Sequence, residues 1–488
     1  MVPRPVKAVV ARALLLVLPL AAAGGGCATN PATGHKQLSF YGEEAELSMG
    51  RAADAEIVDS VGLYDDEELA DYVRDVGERL AAASERPYLP WRFEVLDDPA
   101  VNAFALPGGY VYVTRGILAE LGSEAELAAV LGHEIGHVTA RHSLHRQSQQ
   151  LLAVASVGVA AVVLDPDHAE EWTDLGVLGL GLVFLKYSRD DERQADDLGL
   201  RYLMRAGYDP REMPGVFEML EQVGSASDAG GGHLPGWLST HPDPGARRQR
   251  ISTTVTAVQA RGEMPPQPLV ERDSYLQHLA GLVYGPDPRM GVMGDGEAVH
   301  AGLGFRIGAP RGWRVAGTPQ GLTLRAPSGD ATLAVEVSGE ESADAARAKF
   351  FAAKGVSVVE GAPGESVDPD WTRFRAQRKD GDVAGTVGFA TQDGRLFELL
   401  AMAPAGRWGE QRAELERALA AFAPVGDGAA VAANHLELVS VEQPLRLVDF
   451  ADRWPSTVPL ADLALLNRVP PDGILSGGLV KRVVAAPR

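Results

Sequence analysis

The chain predicts an α+β protein in three parts. The first is mainly helical with a small edge-strand sheet, the second combines an antiparallel sheet with two helices, and the third is a short strand, helix, helix, strand tail. Three patterns carry this expectation. Leu127, Val130, Leu131, Ile135 and Val138 recur at helical spacing, short alternating stretches follow one another from about residue 300 to 424, and apolar segments at 445–451, 463–467 and 475–480 punctuate the tail. The expected divisions are 1–26, 27–295, 296–428 and 429–488.

Composition narrows the classes. With 488 residues of which 45% are hydrophobic, the chain can bury two or three separate cores. A net charge of −21 argues against nucleic acid as a partner and suits an aqueous compartment. Arg4, Lys7 and Arg12 precede an apolar run at 13–23, too short to span a bilayer comfortably and patterned like a secretory signal peptide. Cys27, the only cysteine, follows it. That placement resembles the lipidation site of bacterial lipoproteins, although Ala23-Gly24-Gly25-Gly26 lacks the usual Leu three positions before the cysteine. The resemblance implies an exported protein anchored to a membrane through Cys27 and facing the periplasm. Without a second cysteine, stability must come from core burial and a bound metal.

The first part is organised around one helix. Ser123 is a fitting N-cap, and Glu126 three residues later would complete a capping box. The helix carries His133-Glu134-Ile135-Gly136-His137. Residues i and i+4 share a helical face, so both imidazoles can reach one ion while Glu134 projects beside it as a base. Such an arrangement suits metal-assisted peptide hydrolysis. A catalytic zinc takes three protein ligands, so a third must come from elsewhere. Glu192 and Asp196 are one turn apart at the start of a second expected helix. Glu192 would ligate the metal, and Asp196 would accept a hydrogen bond from the far nitrogen of a ligating histidine. A solvated, dipole-favoured acidic first turn is the bland alternative.

Four segments occur together and in order: the strand-like stretch 102–113, HEIGH, Ser188 to Asp196, and Ser239-Thr240-His241-Pro242. Over about residues 35–255 the chain resembles the M48-type zinc metalloproteases. The resemblance implies a gluzincin-like fold, one zinc per chain held by His133, His137 and Glu192, and Glu134 as general base. Zinc would bring the pKa of a water toward neutrality and polarise the scissile carbonyl, while Glu134 would take the proton and return it to the leaving amine. His241 has two functional readings, donation to the oxyanion or reversible occupation of the fourth zinc position; an ordinary turn histidine is the third.

The remaining segments complete the expectation. Residues 102–113 read as one edge strand, with Asn102, Ala103, Phe104 and Ala105 offering backbone to an extended peptide substrate; a plain core strand is the alternative. Apolar runs at 151–164 and 175–184 read as a helical hairpin, packed in the core or touching a membrane. His142 and His145 read as solvated positions, the Gly-rich 226–235 as a loop, and Arg247, Arg248 and Arg250 as a helix face that is solvated unless one of them pins the acidic helix. In the second part, strands and helices at 343–353 and 409–420 form an α+β domain with a weak likeness to small photosystem-accessory sheets. The tail is similar to a LysM module, which implies peptidoglycan as a partner, but Glu442-Gln443-Pro444 stands where that family has Gly-Asp-Thr.

Two functions fit. One is a zinc endopeptidase of the cell envelope acting on extended or misfolded proteins; the other is a lipoprotein scaffold with a closed zinc site that binds cell wall or partners through its later modules. Metabolic labelling with a clickable fatty acid is expected to tag the wild-type chain and to leave Cys27→Ser untagged. Equal labelling of both would eliminate lipidation at Cys27.

Overall fold

Residues 27–151, 187–229, 236–359, 371–378, 381–426 and 432–485 are described by the computed structural model of the chain. The expected leader and nearly all of the two apolar runs lie outside the described residues. Two compact units emerge, the first built from segments up to Asp59, Leu63–Leu282 and Leu436–Val483, the second mainly from Val283–His435. The expected division at residue 295 therefore falls at 282, and the tail clusters with the first unit instead of standing apart. The short strands that open the second unit were too brief to register as a pattern.

The first unit begins with a hairpin, β1 (Cys27–Thr29) and β2 (Lys36–Leu38), paired in antiparallel register. Helix α1 (Glu43–Val61) follows, then α2 (Glu67–Ala82), whose cap Asp66 accepts from Leu69 N–H. Leu69, Val73, Val76 and Leu80 make the buried stripe of α2. A three-stranded sheet comes next: β3 (Arg92–Leu96) parallel to β5 (Tyr110–Thr114), with β4 (Ala103–Leu106) antiparallel on the other side of β5. The stretch expected as one edge strand is thus a hairpin. Gly108 and Gly109 turn it at φ of 86° and 104°, a left-handed path that glycine takes without a Cβ penalty. Only β4 lies at the edge, while β5 is central and buried throughout.

Helices α3 (Arg115–Glu120) and α4 (Glu124–Thr139) continue the unit, and every residue of α4 is buried. Ser123 caps α4 as expected, accepting from Glu126 N–H. Glu126 does not close the capping box, however. Its carboxylate takes the Gly122 N–H and the Arg468 guanidinium instead. The box forms at Ser188 and Asp191, where α5 (Arg189–Arg205) starts. Helix α5 crosses α4 at very short range. A Cβ on Gly199 would lie 2.9 Å from the His133 amide nitrogen, and one on Gly136 would lie 2.9 Å from the Ala195 carbonyl oxygen. Side chains at these positions would separate the helices and with them the residues they carry.

Helices α6 (Met213–Ala229), α7 (Gly236–Thr240), α8 (Pro244–Ala260) and α9 (Arg272–His278) complete the helical layer. The Gly-rich stretch begins inside α6, and 230–235 lie outside the described residues.

The second unit opens with β6 (Val283–Tyr284), β7 (Val292–Met293), β8 (Glu297–His300) and β9 (Phe305–Gly308). It continues with β10 (Arg314–Thr318), β11 (Gly321–Arg325), β12 (Thr332–Val337), α10 (Ala343–Ala352) and β13 (Val356–Val358). After these come β14 (Thr372–Ala376), β15 (Val383–Gln392), β16 (Arg395–Pro404), α11 (Trp408–Ala420) and β17 (Ala423–Pro424). Instead of one sheet, the strands from β7 to β17 form two, ordered β10-β11-β12-β16-β15-β14-β13 and β17-β9-β8-β7. The long β15–β16 hairpin turns at Asp393-Gly394, both at positive φ, as a two-residue turn between twisted strands requires.

The tail has the expected order. Strand β18 (Asn434–Val441) neighbours β21 (Gly478–Ala485), with β19 (Leu445–Arg446), α12 (Leu447–Arg453), α13 (Leu460–Leu466) and β20 (Ile474–Leu475) between them. Leu447, Phe450, Leu463, Leu475 and Val480 form its core. Two cations fasten it to α3 and α4. Arg468 holds both oxygens of Glu126 at 2.6 and 2.8 Å, and the buried Lys481 donates to the Ala119 and Leu121 carbonyls at 2.6 and 3.0 Å.

Candidate metal centre

Helix α4 presents His133 and His137 on one face, as their spacing requires, and the close crossing sets α5 against that face. His133, His137, Glu192 and His241 each bring a ligand atom into a cluster spanning at most 4.8 Å, all four residues buried. The Nε2 atoms of His133 and His137 are 3.0 Å apart. Glu192 lies 3.7 Å from the first and 3.6 Å from the second. His241 follows α7 directly, and its Nδ1 sits 2.9 Å from Glu192 Oε1 and 3.3 Å from His133 Nε2.

The chemistry of the set fits a borderline-soft divalent ion. Three imidazoles and one carboxylate match the N and O donors that such ions take. Burial pushes His133 and His241 down to about 4 and His137 well below its ordinary value, so all three offer lone pairs at neutral pH. Glu192 is raised by burial, against the opposing pull of Arg247.

Glu134 stands apart from these. It is fully buried, and neither carboxylate oxygen has a well-directed hydrogen bond, although the Trp237 indole is near enough to ease its charge. Its nearest charged-type neighbour is His241, whose Nε2 is 3.7 Å from Oε1. Burial pushes its carboxyl up to about 7.

The shell around the cluster is dense. His133 Nδ1 lies 3.1 Å from Asp196 Oδ1, the contact expected from sequence. Burial alone would raise Asp196, but Arg247 and the hydrogen bond from His133 outweigh it and hold the carboxyl below the usual range. Arg247 is buried and spans the two buried acidic residues of α5, Glu192 and Asp196. Its Nη2 and Nε reach Asp196 at 2.5 and 3.0 Å, and its Nη1 lies 2.7 Å from Glu192 Oε2. Its guanidinium also packs over Trp237 and Phe217, at 4.7 and 4.6 Å from the ring centres. Trp237 in turn stacks on His241.

Two expectations need correction. Arg247 is not on a solvated face: α8 turns it inward because two unpaired carboxylates could not otherwise be buried. His142 is not solvated either. It is 2% exposed, and its Nδ1 lies 3.0 Å from His137 Nδ1. Arg141 explains this, since at φ 59° it turns the chain left-handedly after α4 and swings His142 back under the helix. His145 is half-buried and reaches the Leu38 carbonyl.

Among the other expected site residues, Ala103, Phe104 and Ala105 lie on β4, with Asn102 just before it, so placed that a Cβ on Gly236 of α7 would come 3.0 Å from its side chain. Cys27 opens β1. Among the described residues, the second unit and the tail contain no comparable donor group.

Residues 67–255 match Peptidase family M48. The chain is 37% identical over 172 residues to the mitochondrial metalloendopeptidase OMA1 of Arabidopsis thaliana, covering 35% of this chain and 33% of that relative. It is 29% identical over 254 residues to the β-barrel assembly-enhancing protease of Yersinia pestis, covering 50% of each. To the protein of the same name from Escherichia coli it is 30% identical over 209 residues, covering 41% of this chain and 42% of the relative. The chain thus spans about half or less of the length of these curated relatives. Among solved structures, cyanobacterial PsbP from Synechocystis is 15% identical at a TM-score of 0.19, covering 25% of this chain and 87% of that one. M48 metalloproteases use zinc, and the four-donor cluster is chemically suited to it.

Replacing Arg247 with Ala leaves Glu192 as a buried charge without its guanidinium and Asp196 with only the Arg250 guanidinium, whose Nη2 lies 3.1 Å from Oδ2. Urea unfolding of the metal-free protein is expected to show a loss of about 3–5 kcal/mol, as for other broken buried pairs. Lys at this position should recover little, because an ammonium cannot fork to two carboxylates. A loss under about 1 kcal/mol would contradict the bridging role.

Proposed function

Since residues 67–255 form a Peptidase family M48 domain, we propose that the chain is a zinc-dependent endopeptidase of the bacterial cell envelope that cleaves extended or misfolded polypeptides. Glu134 carries this reading. A carboxylate buried without a well-directed hydrogen bond is costly to the fold, and such groups are kept where chemistry needs them. Here it stands beside a complete set of donors.

In the proposed centre His133, His137 and Glu192 hold the ion. Zinc, when bound, supplies Lewis acidity that acidifies a water and polarises the scissile carbonyl. Glu134 accepts the water's proton, for which a carboxyl held near neutrality is well matched, and later delivers it to the departing amine. Asp196, itself fixed by Arg247, accepts from His133 Nδ1 and so keeps Nε2 directed at the ion. The free edge of β4, at Ala103 to Ala105, would pair with an extended substrate backbone, which gives affinity without strong sequence preference.

The sequence and the relatives' names support an envelope setting. Cys27 as a lipid-bearing residue would tether the enzyme to a membrane, and two relatives named for enhancing β-barrel assembly suit polypeptide substrates of the envelope. Among the described residues no helix is long and apolar enough to cross a membrane.

His241 lies as close to Glu192 and His133 as those residues lie to one another, which favours the fourth position on the ion over an oxyanion contact. There His241 would hold the ion together with His133, His137 and Glu192 and would compete with a water for it.

Digestion of casein by the full chain is expected to stop on addition of a zinc chelator and to fall by at least roughly 1000-fold in Glu134→Gln. A zinc-loaded protein inert to every unfolded substrate would instead favour the scaffold reading. For His241→Ala, the expected outcome is weaker zinc binding with peptidase activity kept or increased. Unchanged zinc affinity with a large fall in kcat would assign His241 to the oxyanion.

A further inference from the structure

One polar chain beneath the centre takes no part in the reaction just described. It runs from the hairpin that follows Cys27 to the underside of His137, and backbone groups fix its direction. The Ala32 N–H donates to Asn30 Oδ1 at 2.9 Å, so the Asn30 amide is oriented with Nδ2 as its donor. Gln37 is oriented likewise, because its Nε2 donates to the Ala140 carbonyl at 3.0 Å and its Oε1 accepts from Asn30 at 3.1 Å. Asn30 Nδ2 also donates to Gln194 Oε1 at 3.0 Å.

Each further contact then has one permitted polarity. Gln194 Oε1 can only accept, so its 2.9 Å contact with His142 Nε2 places a proton on that nitrogen. A neutral imidazole has one N–H, which leaves His142 Nδ1 as a lone pair. The 3.0 Å contact between the two Nδ1 atoms therefore requires the proton on His137. His137 Nε2 is left as the lone pair that faces His133 and Glu192.

We propose that His142, oriented by Gln194 and Asn30, is a positioning residue that fixes the tautomer and ring direction of His137 as a metal ligand, and so couples the hairpin after Cys27 to the strength of metal binding. The inference rests on the zinc-peptidase reading. It gives His137 a counterpart to what Asp196 does for His133, with a neutral amide-terminated chain in place of a carboxylate.

The test uses the full chain, with zinc affinity measured by competition with a chromogenic chelator and imidazole N–H signals observed by NMR on histidine-labelled protein. His142→Phe is expected to weaken zinc binding about 10- to 100-fold and to remove the hydrogen-bonded Nδ1–H signal of His137. His142→Asn, which keeps an acceptor near the ring's Nδ1, should bring affinity back to within a few-fold of wild type. Gln194→Glu retains the acceptor and should bind zinc at least as tightly as wild type, whereas Gln194→Leu should bind more weakly. These Gln194 variants decide the matter if the His142 variants fail to fold. Wild-type affinity and an unchanged signal in His142→Phe would overturn the proposal, as would equal weakening by both Gln194 variants. If the wild-type chain binds zinc and digests casein while the variants match it, only the positioning role falls; if the wild-type chain binds no zinc, the peptidase reading falls first.

Discussion

The close crossing of α4 and α5 is the constraint on which the first unit depends. Two helices at ordinary spacing would leave His133 and His137 too far from Glu192 to share one ion, and His133 too far from Asp196 for their contact. Gly132, Gly136 and Gly199 remove the side chains that would hold them apart, and the backbone of one helix then touches that of the other. The closeness has an electrostatic cost: carboxylates and imidazoles are forced together away from water. Arg247 offsets it by bringing a permanent positive charge to both buried acids of α5, Glu192 and Asp196.

With that crossing in place, the protein separates two kinds of buried polar group. Asp196, His133 and Arg247 contact one another, as do His142 and Gln194, and most of their polar atoms have hydrogen-bond partners, Arg247 Nη1 being the exception. Glu134 is left without a well-directed hydrogen bond in the same enclosure. A group meant to exchange a proton with substrate gains from having no competing hydrogen bond, while the groups meant to hold geometry gain from having every one.

Much of this was legible in the sequence, and the illegible parts share a cause. Helical periodicity and caps are local, so Ser123 and Ser188 mark the two helices correctly, and the i, i+4 pairs His133/His137 and Glu192/Asp196 define their functional faces. What failed depended on the path of the chain between elements. Arg141 adopts a left-handed conformation that its residue type does not advertise, and only that turn makes His142 an inner residue. Arg247 looks like its neighbours Arg248 and Arg250 until the docking of α8 buries it against Glu192 and Asp196, sets the half-buried Arg250 beside Asp196 and Asp197, and leaves Arg248 to Glu218 and Glu221. Glu126 followed the capping-box spacing, yet a cation distant in sequence claimed its carboxylate. Even Pro107-Gly108-Gly109, a strong turn signal, did not reveal that the two sides of the turn pair with each other.

The grip of Arg468 on Glu126 has a consequence for how the protein comes into being. The two residues are 342 positions apart, and Lys481 reaches α3 across 362. Contacts of such separation close late, because the loop entropy must be met before they contribute. On a ribosome, the first turn of the histidine-bearing helix emerges long before the cations that fasten it. The start of the histidine-bearing helix is thus held by a residue made 342 positions after it.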